Sequence, residues 1–132
     1  MIVLDASAVL ELLLRTPTGA NVERRIAAPR ESLHVPHLLD VEVAQVVRRY
    51  ERRRAITAAR GREMLEDLSD LDATRYPHDV LLRRIWDLRQ NLTAYDAVYV
   101  ALAEALAAPL LTCDASFAGA HGHAAKIEHL TA

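Results

Sequence analysis

Apolar positions along this chain keep two periods, short unbroken runs and helical stripes, and the two alternate from end to end. Ile2-Val3-Leu4 is an unalternating run with two β-branched members, the pattern of a strand buried on both faces of a parallel sheet. Asp5 ends the run, and Ala6 to Arg15 continues with Val9, Leu10, Leu13 and Leu14 on one helical stripe. Thr16-Pro17-Thr18-Gly19 has turn composition, and Ala20 to Ala28 is spaced as a helix through Val22 and Ile26, closed by Pro29. Leu33-His34-Val35 predicts a second strand before Pro36. Leu38 to Arg54 then predicts a long amphipathic helix, with Leu39, Val43, Val46, Val47 and Tyr50 on one side.

Thr57 is placed to cap a helix running to about Leu68, and Leu71 to Tyr76 is a weaker strand pattern before Pro77. Asp79 to Gln90 has helical spacing and Asn91 suits its carboxyl cap. Thr93 to Ala107 is apolar nearly all round, which requires packing on several sides. Pro109 to Asp114 repeats the opening design, a short apolar strand that ends in an acid. Ala115 to Ala120 begins another helix, and Lys126 to Leu130 predicts a last, edge strand.

Strands joined through helices by short links predict a parallel sheet with right-handed crossovers, covered on both faces. The expected class is α/β, a three-layer α/β/α arrangement around a central, mostly parallel five-stranded sheet. A chain of 132 residues suits a single domain spanning 1–132 that buries roughly two-thirds of its unfolded surface. No apolar run approaches the roughly 18 residues needed to cross a bilayer. The strand beginning at residue 2 leaves no room for a basic leader, so a cytoplasmic location is expected. Cys113 is the sole cysteine, which excludes an internal disulfide and a multi-cysteine metal site; it is expected to be a small core residue.

The formal net charge of −2 argues against a bulk-basic nucleic-acid binder. All but one of the 16 basic residues are nevertheless arginine, clustered at Arg24-Arg25, Arg48-Arg49, Arg52-Arg53-Arg54, Arg60 with Arg62, and Arg83-Arg84. Guanidinium forks suit phosphate oxygens.

Four acids stand apart from the solvated ones. Asp5 and Asp114 end buried strands, where the ligand crevice of an open α/β sheet lies. Glu42 falls inside the arc of Leu38, Leu39 and Val46, and Asp96 stacks with Val100, Ala103 and Ala107 on the apolar helix. Two carboxylates about 5 Å apart repel by roughly 3 kcal/mol at an effective dielectric constant of about 20. No lysine or arginine immediately adjoins any of the four. A divalent cation would let them coexist, and an all-oxygen donor set favours Mg²⁺ or Mn²⁺ over zinc. Such an ion generates a nucleophile from water and neutralises phosphoryl oxygens, which points to a phosphodiester substrate.

Val3 to Ala8, Glu42 opening a helix after Pro36, Tyr95 to Ala103, and Leu111-Thr112-Cys113-Asp114 together resemble the PIN-domain ribonucleases, most closely the VapC-type toxins of toxin–antitoxin pairs. The resemblance spans essentially the whole chain. It implies a PIN-like fold and a Mg²⁺- or Mn²⁺-dependent endoribonuclease whose metal site is Asp5, Glu42, Asp96 and Asp114. Ser7 and Thr112 would orient the site through their hydroxyls, and a metal-activated water would attack an RNA phosphate in line. It further implies a homodimer and a cognate VapB-like antitoxin whose tail occupies the cleft. Family members often carry another polar or acidic residue soon after the last Asp; here only Ser116 is available.

Other readings fit less well. A receiver-like signalling domain would want paired acids after the first strand and a lysine near the last, and a phosphatase with an Asp nucleophile would want a second acid where Ser7 stands. An inert PIN-like RNA- or partner-binding module would not need all four acids. Asp40 is expected to cap a helix, Trp86 and the tyrosines to pack, and His121-Gly122-His123 to form a loop.

Overall fold

The computed structural model describes residues 1–132. Five strands, β1 (Ile2–Leu4), β2 (Leu33–Pro36), β3 (Ala73–Tyr76), β4 (Leu110–Thr112) and β5 (Ile127–His129), form one sheet in the order β3-β2-β1-β4-β5. Every pairing is parallel; Val3 stands opposite His34 on one side and Leu110 on the other. Six helices connect them: α1 (Ala6–Leu14), α2 (Pro17–Ile26), α3 (Leu38–Arg52), α4 (Ala58–Asp70), α5 (Leu82–Asp87) and α6 (Ala94–Leu106).

The strand order dictates the layers. From β1 the chain steps outward to β2 and β3, so right-handed crossovers put α1 to α4 on one face. From β3 it returns past β1 to β4, which puts α5 and α6 on the other face. The packing agrees: α1 touches α2, α3 and α4, whereas α6 lies against β1, β2 and β4 with α5 beside it. This is the three-layer α/β/α arrangement that the sequence predicts. The inner strands supply the core, with Ile2, Val3, Leu4, Leu110 and Leu111 fully buried. All-round apolarity of α6 is explained by Ala97 to Ala103, seven consecutive buried residues.

Several local expectations are corrected. Thr16 to Gly19 is not a turn but the start of α2: Thr16 is the N-cap, accepting the Gly19 N–H at 2.9 Å, and Pro17 occupies the first turn. Proline and a hydroxyl cap are as typical of a helix start as of a turn. The long helix α3 stops at Arg52, two residues early. Asp79 to Gln90 splits into a 3₁₀ turn (Asp79–Leu81) and the short α5, and Ala115–Gly119 is a 3₁₀ turn too. Asn91 caps nothing; its amide holds the His121 carbonyl at 3.0 Å. Asp40 does not cap α3 but forms a two-pronged pair with Arg75, at 2.8 and 3.0 Å. Trp86 is 66% exposed with the Arg89 guanidinium over its ring, so it is not a packing residue. Cys113 is half-buried at the edge of the core.

Candidate functional site

β1 and β4 are neighbours whose onward connections leave in opposite directions, which makes the carboxyl end between them the switch point of the sheet. Parallel sheets bind ligands there, because the diverging connections leave a crevice. Asp5 follows β1 and Asp114 follows β4, so the topology delivers one acid from each side of that crevice. Glu42 comes from the second turn of α3 and Asp96 from the first turn of α6, helices that start at the same end of the sheet.

Asp5 is 3% exposed and tightly held. Its Oδ1 accepts the Ser7 hydroxyl at 2.7 Å and the Ala8 N–H at 2.9 Å, and its Oδ2 accepts the Thr112 hydroxyl. It therefore caps α1 and faces the cleft at once. Burial pushes its carboxyl above the usual range, the three donors pull it down, and Asp114 adds to the rise. Ser7 and Thr112, both proposed from sequence as orienting residues, are 3.2 Å apart; Ser7 Oγ also takes the Cys113 N–H at 2.9 Å and Thr112 Oγ1 the Asp114 N–H at 2.9 Å. These two hydroxyls stitch the end of β1 to the end of β4.

Asp96 and Glu42 are half-buried and Asp114 is exposed. Burial raises the Asp96 carboxyl first, with Asp114 and Asp5 adding repulsion. Burial raises the Glu42 carboxyl, repulsion from Asp96 and Asp5 adds to it, and a hydrogen bond from Tyr99 opposes it. Each pair of the four except Glu42 with Asp114 is thus electrostatically coupled. The structure brings the four predicted acids to the carboxyl end of the sheet, within electrostatic reach of one another except for Glu42 and Asp114. No basic side chain pairs with any of them: the ion pairs of the chain lie elsewhere, as in Arg25 with Glu128 and Arg84 with Glu104. Ser116 contributes its backbone N–H to Asp114 at 2.9 Å, not its hydroxyl.

No three of these carboxylates stand close enough together to enclose an ion by themselves. The donor chemistry nonetheless suits Mg²⁺, which keeps several of its waters and is commonly held through one or two carboxylates. The raised carboxyls of Asp5, Glu42 and Asp96, without a cationic side chain beside them, are what such an ion would relieve.

The sequence reading missed Tyr99. It is 2% exposed, and its hydroxyl donates to Glu42 Oε1. Burial and the neighbouring acids push the phenol far above its ordinary range, so it remains a donor. Its place three residues after Asp96 was the available signal, since positions three apart share a helix face. Beside Glu42, a groove of about 520 Å³ is lined by Ala6, Leu38, Val41, Gln45, Arg49 and the exposed Tyr95, among others.

The fold and site are those of an open parallel α/β sheet with acids at its switch point, and the PIN-domain family model matches residues 2–121 of this chain. Ribonuclease VapC12 of Mycobacterium tuberculosis is 44% identical over 128 residues, covering 97% of this chain and 98% of that protein. Ribonuclease VapC9 of the same organism is 51% identical over 114 residues, covering 86% of each. The chain belongs to the PIN-domain family of VapC-type ribonucleases. Among solved structures, VapBC2 from Rickettsia felis, bound to a DNA fragment from their promoter, superposes with a TM-score of 0.74 over 99% of this chain and 100% of that one. At 13% identity that likeness concerns the fold alone. No helix is long and apolar enough to cross a membrane.

Proposed function

We propose that this protein is a Mg²⁺- or Mn²⁺-dependent endoribonuclease, the toxin of a toxin–antitoxin pair, with Asp5, Glu42, Asp96 and Asp114 as its metal-binding acids. The observation that carries this reading is the placement of four acids, from four separate parts of the chain, at the carboxyl end of the sheet, coupled to one another and without a basic partner. Near-full-length identity of 44% to a protein named as a ribonuclease supports the reaction class.

A bound divalent ion would supply charge neutralisation at the scissile phosphate and a water acidic enough to attack it in line. The chain's own residues divide the remaining work. Asp5, fixed by three donors, offers a carboxylate that cannot rotate away. Thr112 and Ser7 keep Asp5 in register with the strand end that carries Asp114. Asp96, in the first turn of α6, gains from the helix N-terminus as a carboxylate. Arg49, exposed at the groove beside Glu42, is placed to take an RNA phosphate, and binding should weaken as salt rises.

The partner expected is a VapB-like antitoxin, in line with the VapBC complexes that share this fold. A homodimer is expected as well. The test of the reading is cleavage of purified cellular RNA by the purified protein with Mg²⁺ or Mn²⁺ and with EDTA. Cleavage in both cases, or in neither, would reject it. Co-expression with a VapB-like antitoxin, sought among any small open frames beside the gene, tests the partner: a stable complex that suppresses cleavage is expected.

A further inference from the structure

Tyr99 and Asp96 leave α6 on the same side, and Tyr99 crosses to α3 to donate its hydroxyl to Glu42 Oε1. A buried phenol must find an acceptor, and this one takes a carboxylate of the cleft rather than a backbone carbonyl of its own layer. For the Glu42 carboxylate this is the sole hydrogen bond from within the chain, and Oε2 is left for another partner. Asp5 is held by three donors; Glu42, on a longer and more flexible side chain, is held by one.

We propose that Tyr99 is a positioning residue for the divalent cation: it fixes Glu42 through Oε1 so that Oε2 is presented to the ion, and it ties α3 to the helix that carries Asp96. This rests on the reading of Glu42 as a metal-binding acid. Partners that orient a ligand typically change metal affinity by about 10–100-fold when removed. A tyrosine that merely fills the core would lower stability when its hydroxyl is lost and leave metal affinity alone, so the two roles separate in a binding measurement.

The experiment compares wild type, Tyr99→Phe, Glu42→Gln and the double variant by titration calorimetry with Mn²⁺ in the absence of RNA, by kcat and KM on RNA, and by melting without metal. Tyr99→Phe is expected to weaken Mn²⁺ binding about tenfold or more and to lower kcat with KM for RNA unchanged. Glu42→Gln should weaken Mn²⁺ binding at least as far, and the double variant should be no worse than Glu42→Gln alone, because the hydroxyl acts only through the carboxylate. Wild-type Mn²⁺ affinity in Tyr99→Phe together with a loss in Glu42→Gln overturns the positioning role and leaves the ligand reading intact. Wild-type affinity in Glu42→Gln overturns the ligand reading and this proposal with it. Should Tyr99→Phe fail to fold, the double variant decides: folding restored by removing the charge supports the pairing, and continued failure overturns it in favour of a packing role.

Discussion

Thr112 donates its hydroxyl to Asp5 Oδ2 across the join between β4 and β1, and Thr112 Oγ1 itself accepts the Asp114 N–H at 2.9 Å. One fully buried side chain therefore fixes the acid that follows each strand. Parallel pairing sets the register of the strands, with Leu4 opposite Leu111, and the backbone ladder reaches as far as the Asp5 N–H, which donates to the Leu111 carbonyl at 3.2 Å. Beyond that point the Thr112 and Ser7 hydroxyls hold the two chain segments together where the crevice opens.

Thr112→Val keeps the shape and deletes the hydroxyl, leaving Asp5 short of a donor and the Asp114 N–H without its acceptor. A loss of about 1–3 kcal/mol in urea unfolding is expected, the usual cost of stranding a buried polar group. Thr112→Ser should recover most of it. Equal stability of the valine and threonine forms would show that water replaces the hydroxyl.

Asp96→Asn tests an acid whose ionised form is opposed by burial and by the neighbouring Asp114 and Asp5. It should fold, melt higher than wild type without metal, and cleave RNA ~10²-fold more slowly or worse, since a lost metal contact is worth several kcal/mol in the transition state. Mg²⁺ or Mn²⁺ should raise the melting temperature of wild type, by an amount equivalent to about 2.7 kcal/mol at a hundred times Kd. The same ions should raise that of Asp96→Asn less. Indifference of the wild-type melt to both ions would contradict the proposed site.

The raised carboxyls of Asp5, Glu42 and Asp96 fix the sign of a pH effect. Their ordinary values are 3.8 for Asp and 4.5 for Glu. Between those values and the higher folded ones the native chain holds protons that the unfolded chain has released, so stability falls as pH rises through that window. His34 acts oppositely: burial lowers it from 6.5, and stability is lost as pH drops below that value, where the unfolded chain binds the proton. Comparing variants isolates the acids. Without metal, the melting advantage of Asp96→Asn over wild type should grow as pH rises from the carboxyl range towards neutrality, and an advantage constant with pH would refute the coupling.

The class of fold was legible because unbroken apolar runs and helical stripes fall in alternating order, and the acids were legible because each sits where a buried run ends or on a helix face otherwise apolar. Both signals are local. What escaped depends on distant partners. Asp40 has the residue type and position of a cap, and only the β3 neighbour Arg75 shows that it is engaged elsewhere. Tyr99 looks like any apolar helix residue until α3 brings Glu42 to its hydroxyl. Trp86 keeps helical spacing, but α5 turns it to solvent, where the Arg89 guanidinium covers its ring.

Gly19 shows the same limit and yields the sharpest stability prediction. In sequence it follows Thr-Pro-Thr and suggests a turn; in the fold it lies within α2, buried, where α1 and α2 cross. A Cβ at this position would stand 2.1 Å from the Glu11 carbonyl oxygen and 2.7 Å from its carbon. Both atoms are backbone, so no rotamer change relieves the overlap and the helices must separate. Intrinsic propensity alone would make Gly→Ala in a helix favourable by about 1 kcal/mol. The close approach reverses the sign: Gly19→Ala should destabilise by about 1–3 kcal/mol or more in denaturant unfolding, the scale of overpacking in a core. Because Asp5 is the N-cap of α1, the shift should also weaken Mn²⁺ binding, whereas Gly61→Ala, whose Cβ would meet only side-chain atoms, Val47 at 3.2 Å and Ile56 at 3.7 Å, should destabilise less than Gly19→Ala and leave Mn²⁺ binding unchanged. A Gly19→Ala protein as stable as wild type would mean that α1 and α2 do not cross this closely.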